Sequence, residues 1–102
     1  MPMLHTVNKS PYERETLNSC LNHVKAGDSL LLIEDAVVAA LSGGSAANKI
    51  RNIMPDCAIY VLSPDYQARG LPENRMIDGL KTVDYTGFVD LVIENDKVQS
   101  WL

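Results

Sequence analysis

A continuous apolar run at residues 30–33, Leu-Leu-Leu-Ile, constrains the fold of this chain more than any other feature. The run shows no alternation of apolar and polar residues, which is typical of a strand covered on both faces in a parallel sheet. Gly27 and Asp28 supply a turn before it, and the carboxylates of Glu34 and Asp35 follow it directly. In open α/β sheets, sites usually form beyond the carboxyl ends of the strands. Glu34 and Asp35 therefore mark the edge where we expect a site.

Strand-like and helix-like segments alternate along the rest of the chain. Short apolar segments predict four further strands, at residues 3–7, 58–62, 81–84 and 98–102. Helical patterns lie between them, at residues 11–25, 36–41, 46–54, 66–69 and 85–95. This alternation predicts a layered α/β domain. The length of 102 residues fits one domain, spanning residues 1–102.

Composition argues against several classes of protein. Hydrophobic residues make up 46% of the chain, which is enough for a globular core. The formal net charge is −4 and no cluster of Lys or Arg is present, which argues against direct binding to nucleic acid. No apolar run approaches the roughly 20 residues that cross a membrane. The amino terminus lacks the charged start and long apolar region of a signal peptide, so we expect a cytoplasmic protein with two free thiols.

Cys20 and His23, on the first predicted helix, are the residues with the clearest chemical potential. They are three positions apart, close enough on a helix to interact. A protonated histidine beside a cysteine lowers the thiol pKa and raises the thiolate fraction. Cys20 lies in the second half of the helix, however, where the helix dipole disfavours a thiolate. It also flanks the apolar stripe of Leu17, Leu21 and Val24, so a small, half-buried apolar residue is the alternative interpretation.

Several other motifs favour structural roles. His5, inside the first strand, is expected to be a hydrogen-bonded residue of the sheet rather than a proton carrier. Cys57 stands at the amino end of the third strand, opposite the expected functional edge. The glycine-rich residues 42–49 lack the Gly-Lys-Ser/Thr ending of a phosphate-binding loop, and we expect a hinge followed by a helix that Ser45 caps. A single Cys-x-x-His without a second ligand pair does not predict a zinc site.

Several short motifs, in order along the whole chain, resemble the DsrH/TusB family. They are residues 3–6 (MLHT) with 9–11 (KSP), 27–28 (GD) with 30–37 (LLLIEDAV), 60–62 (YVL) with 68–71 (ARGL), 84–89 (DYTGFV) and 98–101 (VQSW). The resemblance implies a three-layer α/β/α sandwich with a mostly parallel sheet of about five strands, as in the DsrEFH proteins.

The resemblance also implies a role in a sulfur relay. In that family, three related small α/β chains assemble as a dimer of heterotrimers. The implied partners are therefore a DsrE/TusD-like subunit and a DsrF/TusC-like subunit. A cysteine of the DsrE/TusD-like subunit carries sulfur as a persulfide and passes it to a DsrC/TusE-like carrier. The resemblance implies neither a cofactor nor a metal.

Two branches of the family differ in the destination of the sulfur. One branch serves dissimilatory sulfur oxidation, and the other feeds 2-thiolation of the tRNA wobble uridine. A cysteine on the first helix, where Cys20 stands, is expected of the oxidation branch, whereas the enterobacterial thiolation subunit lacks it. Cys20 therefore favours a DsrH-type subunit, and a TusB-type subunit is the alternative.

Three roles remain open for the chain. The first role is a structural subunit without thiol chemistry of its own. The second is a sulfurtransferase in which Cys20 carries a persulfide and His23 adjusts the pKa of Cys20. A third role is a free-standing module that binds a small anion at the sheet edge, and the acidic Glu34 and Asp35 argue against it. The helix dipole favours the first role. We expect the main catalytic cysteine on a sister subunit.

Overall fold

A five-stranded, entirely parallel sheet forms the centre of the computed structural model, which describes residues 2–101. Its strands are β1 (Met3–Val7), β2 (Ser29–Leu32), β3 (Ala58–Leu62), β4 (Lys81–Val83) and β5 (Lys97–Trp101). Their order across the sheet is β4-β3-β2-β1-β5, and every neighbouring pair is parallel. The predicted α/β class, the predicted run of five strands and the central position of β2 are confirmed. Leu102, the predicted end of the last strand, lies outside the described residues.

Helices cover both faces of the sheet. They are α1 (Thr16–Leu21), α2 (Ala47–Ile53), α3 (Ser63–Ala68), α4 (Tyr85–Glu94) and two 3-10 helices, Glu34–Ala40 and Glu73–Arg75. The chain steps from β1 through β2 and β3 to β4 in one direction, so right-handed connections place the intervening helices on one face. The connection from β4 to β5 runs back across the sheet, and therefore places α4 on the opposite face.

Two hydrophobic clusters show how unequal the two faces are. The α1 face is covered by α1, α2, α3 and the first 3-10 helix, whose apolar side chains pack on Val7, Leu30, Leu32, Ile59 and Val61 of the sheet. The α4 face buries only a small cluster, in which Leu91 of α4 packs with Leu4, Leu31 and Leu62 of the sheet. The expected three-layer sandwich is therefore present, with one thick helical layer and one thin one.

The first helix is shorter than the sequence predicted, because side chains close turns at both of its ends. Before α1, the Ser10 hydroxyl accepts the Tyr12 N–H at 3.2 Å and forms a separate turn. After α1, the Asp28 carboxylate accepts the Lys25 N–H at 3.0 Å, and the Asp28 N–H donates to the Lys25 carbonyl at 2.9 Å. These bonds offer the backbone an alternative to helix, as short polar side chains commonly do.

Helix caps agree with the sequence at one helix and disagree at another. Asp84 caps α4 as predicted, accepting the Gly87 N–H at 2.8 Å. The prediction for Ser45 was wrong, since α2 begins after Ala46 and has no side-chain cap. Within residues 2–101, no helix is both long enough and apolar enough to cross a membrane.

Candidate functional site

The carboxyl ends of β1, β2 and β3 bring polar side chains together, at the edge where the sequence predicted Glu34 and Asp35. Glu34, just beyond β2, accepts a hydrogen bond at 3.4 Å from the side-chain amide of Asn8, which follows β1. The Glu34 N–H donates to the carboxylate of Asp65, in the first turn of α3, at 2.7 Å. The carboxylate of Asp35 pairs with the Arg69 guanidinium at 2.8 Å. We call these five residues the carboxyl edge.

Glu34 has a strained backbone at this edge. Its φ of +51° lies in the left-handed region, which costs a residue other than glycine about 1–3 kcal/mol. In the same place, the side-chain oxygen of Asn8 is buried without a hydrogen-bond partner in the described part of the chain. A buried acceptor without a donor is costly. The exposed carboxylates of Glu34 and Asp35 are suited to accept a donor from a binding partner, while the three carboxylates of the carboxyl edge oppose a free anion.

A second polar cluster lies on the α1 face and joins the edge strand β5 to β1. His5 is buried, and its Nε2–H donates to the Asp28 carboxylate at 2.8 Å. The indole N–H of Trp101 donates to His5 Nδ1 at 3.1 Å, which fixes a neutral imidazole with its proton on Nε2. The ring of His23 also packs against Trp101, with the ring centroids 5.2 Å apart. We call these four residues the His5 cluster, and the predicted hydrogen-bonded role of His5 is confirmed.

Asp28 is the acceptor at the centre of the His5 cluster. Besides His5, it accepts the backbone N–H groups of Met3 and Lys25, each at 3.0 Å. Burial acts to raise the pKa of Asp28, but the hydrogen bonds from His5, Lys25 and Met3 outweigh burial and hold the pKa below its ordinary value. The carboxylate is therefore ionised at neutral pH, although its side chain is buried.

Cys20 lies in the core rather than on the flank of its helix. Its side chain is fully buried. Burial, the charge of Asp28 and the neighbouring Cys57 together raise the pKa of Cys20 to about 12. Since the thiolate is the nucleophile in sulfur chemistry, a thiol that stays protonated at neutral pH is a poor acceptor of sulfur. The geometry favours the interpretation of Cys20 as a core residue.

His23 has a side-chain environment separate from that of Cys20. It is exposed, and its Nδ1–H donates to the carbonyl of Ser19 at 2.7 Å. The contact between His23 and Cys20 that the structure shows is a backbone one, from the His23 N–H to the Cys20 carbonyl at 2.9 Å. The two predicted site residues are therefore neighbours along the chain, but one side chain lies in the core and the other at the surface.

Cys57 is also buried, beside a shallow cavity. Its thiol donates to the Lys25 carbonyl at 3.3 Å. Burial and the charges of Asp28 and Asp56 raise its pKa. The adjacent cavity of about 300 Å³ is also lined by Lys81. A protonated, hydrogen-bonded thiol agrees with the structural role expected from the sequence.

Comparison with a family model identifies the chain. The model described as "DsrH like protein" matches residues 9–98, which include the carboxyl edge except for Asn8. The chain belongs to the DsrH-like family. Membership of this family implies that the chain belongs to a sulfur-relay complex that contains other subunits.

Curated relatives of this family member are similar over their full length. Protein TusB of Pectobacterium parmentieri is 37% identical over 99 residues, which cover 97% of this chain and 100% of that protein. Protein TusB of Escherichia coli O81 (strain ED1a) is 34% identical with the same coverage. These values support the resemblance to the DsrH/TusB family that the sequence motifs indicated.

Solved structures confirm the fold of this family member. The crystal structure of the ychN protein from E. coli superimposes with a TM-score of 0.79 at 21% identity, over 99% of this chain and 100% of that chain. A Methanobacterium thermoautotrophicum protein of unknown function, MTH1491, gives a TM-score of 0.73 at 7% identity, over 96% of this chain and 97% of that chain. At these identities the likeness establishes the architecture alone.

Sequence reasoning predicted that His5 is hydrogen-bonded but missed its two partners, Asp28 and Trp101. Asp28 was interpreted as part of a turn and of a family motif, and Trp101 as part of the last strand and of a family motif. The pairing of β5 with β1 sets Trp101 beside Val7, and the indole then reaches His5 on the same sheet face. That pairing depends on the strand order, which no local sequence pattern contains. The available sequence indication was Asp28 itself, a carboxylate that directly precedes the central strand.

Proposed function

We propose that this chain is a structural subunit of a cytoplasmic sulfur-relay complex of the TusB type, which feeds 2-thiolation of the tRNA wobble uridine. Its proposed partners are a DsrE/TusD-like subunit that carries the persulfide, a DsrF/TusC-like subunit and a DsrC/TusE-like carrier. The observation that carries the structural role is the full burial of Cys20, together with the rise of its pKa to about 12. Such a thiol lacks both access and charge for attack on a persulfide.

The thiolation branch is preferred because the burial of Cys20 weakens the argument for the oxidation branch. Cys20 was the residue that favoured a DsrH-type subunit of sulfur oxidation. A cysteine that fills the core between α1 and the sheet is explained by packing, without any sulfur chemistry. The curated relatives compared above carry the name TusB. The oxidation role, with Cys20 as a persulfide carrier and His23 as its pKa modulator, is the second candidate.

The carboxyl edge supplies a docking role for such a subunit. Its exposed Glu34 and Asp35 carboxylates accept hydrogen bonds and attract cations. A partner that presents Lys, Arg or backbone N–H groups matches this chemistry. We assign this edge to contact with a protein of the relay, since the net charge of −4 opposes contact with tRNA itself.

Removal of the gene for this chain tests the proposed branch. We expect 2-thiouridine in tRNA to fall to background, because a relay that lacks one of its subunits does not assemble. The nucleoside content is measured by chromatography and mass spectrometry of digested tRNA. Restoration of the chain as Cys20→Ala should return thiolation to the wild-type level, since the methyl group keeps most of the packing and no sulfur passes through this residue.

Two outcomes would separate the candidates. Unchanged 2-thiouridine with a loss of growth on reduced sulfur compounds would move the chain to the oxidation branch. Restored protein at normal abundance but no thiolation in the Cys20→Ala strain would make Cys20 a participant in the transfer. A Cys57→Ala strain is the matched control, because Cys57 is the other buried thiol of the chain.

A further inference from the structure

Helix α4 exposes an unusual amount of apolar surface. Ile93 is 75% exposed, Tyr85 60% and Val89 57%, and these side chains follow one another at intervals of four residues along one side of the helix. Val92, beside them, is also exposed. We call these four residues the α4 outer face.

The inner side of the same helix is apolar as well. Leu91 and Phe88 pack on the sheet through the small cluster of the α4 face. A helix that is apolar on both sides is normally covered on both sides. Among residues 2–101, α4 is the single helix on its face of the sheet, and Val98 of the edge strand β5 is exposed on that same sheet face. In the part of the chain that the structure describes, the α4 outer face therefore lacks a covering layer.

The charges beside the α4 outer face determine which partner fits. Helix α4 carries two charged residues, Asp90 and Glu94, and both are acidic. Asp84 and Asp96, at the two ends of the helix, are acidic and exposed too. A symmetric contact between two copies of this chain would place like-charged carboxylates next to one another, which costs binding energy. A chain with Lys or Arg around an apolar patch would pair with the same four carboxylates.

We propose that the α4 outer face docks a different protein chain, one whose apolar patch is bordered by Lys and Arg, rather than a second copy of this chain. The proposal rests on the proposed function, because the docked partner is taken to be a sister subunit of the relay. It assigns to α4 the role of joining subunits and leaves the carboxyl edge free for the carrier.

The two sister subunits are purified together, and this chain is titrated into them. Calorimetry measures the heat of binding and thereby the affinity. Ile93→Lys should weaken binding at least about 30-fold, as expected for a buried apolar anchor at an interface. The substitution is tolerated by the fold because Ile93 is exposed and Lys is a good helix former. Tyr12→Lys, at an exposed aromatic residue outside the α4 outer face, is the matched control and should bind as the wild type does.

A second variant tests the charges. Asp90→Asn combined with Glu94→Gln should flatten the dependence of binding on salt concentration, because it removes both charges of α4. Urea midpoints equal to that of the wild type would show that each variant is folded.

Each result has one meaning. Equal binding by the wild type and by Ile93→Lys would overturn this proposal and leave the proposed function intact. Self-association of the wild-type chain that Ile93→Lys abolishes would also overturn it, in favour of a second copy. If the wild type does not bind the sister subunits at all, the proposed function fails and this proposal fails with it.

Discussion

Cys20 should react with iodoacetamide at least about 10³-fold more slowly at neutral pH than cysteine in a short peptide. The rise in pKa from 9.0 to about 12 lowers the thiolate fraction by about three powers of ten, and only the thiolate is alkylated at a useful rate. Burial adds a further barrier, because the reagent reaches the thiol only when the structure opens. Alkylation of a Cys57→Ala variant, followed by mass spectrometry against time, measures this rate for Cys20 alone.

The same variant unfolded in urea is the control for that measurement. There, Cys20 should react at the rate of the peptide, since neither burial nor the charge of Asp28 acts on it. A folded protein that alkylates within tenfold of the peptide rate would contradict the buried, protonated thiol and would restore Cys20 as a candidate sulfur carrier.

Asp28→Ala should lower the free energy of unfolding by about 3–5 kcal/mol, as expected when several buried donors lose their acceptor. The substitution leaves His5 Nε2–H and the N–H groups of Met3 and Lys25 without the carboxylate that binds them. The bond lost at Lys25 is also the side-chain bond of the turn between α1 and β2, whose backbone bond from the Asp28 N–H to the Lys25 carbonyl remains. Equilibrium unfolding in urea measures the loss.

Two further variants give that measurement its controls. Asp28→Asn keeps one acceptor oxygen and should lose less, whereas Asp78→Ala, at an exposed aspartate, should change stability by no more than about 0.5 kcal/mol. A loss for Asp28→Ala equal to that for Asp78→Ala would show that the His5 cluster does not hold β5 and α1 to the sheet.

The pH dependence of this effect has a defined sign. The pKa of Asp28 is lower in the folded chain than in the unfolded chain, so folding favours the carboxylate. Its contribution to stability is fully present above the unfolded pKa of about 4 and is lost as the pH falls through the folded value. The stability difference between the wild type and Asp28→Asn should therefore shrink in acid.

The central strand and the carboxyl edge were accessible from the sequence because each depends on local order. Residues 30–33 are apolar without alternation. Leu30, Leu31 and Leu32 lie in β2 and are fully buried, and residue 33 directly follows the strand. Glu34 and Asp35 follow that strand directly, so their position at the edge follows from the strand itself. The left-handed backbone of Glu34 had no sequence signal, because glycine is the usual residue in that conformation.

The environment of Cys20 differs from the flank position that the sequence predicted, and α1 is also shorter than predicted. A helix extending to residue 25 centres its apolar stripe on Leu17, Leu21 and Val24, and leaves Cys20 on the flank. The Asp28 turn ends the helix early, at Leu21. In the shorter helix, Leu17 and Cys20 are the residues that face the sheet. Leu21 and Val24, the other two residues of the predicted stripe, are partly buried and pack against the same core.

The location of transferred sulfur tests the central claim most directly. The complete complex is exposed to a persulfide donor, and peptide mapping by mass spectrometry locates each added sulfur atom. A structural role for this chain predicts sulfur on the cysteine of the DsrE/TusD-like subunit and none on Cys20 or Cys57. An added sulfur atom on Cys20 in the folded complex would contradict that role and would make this chain a carrier in the relay.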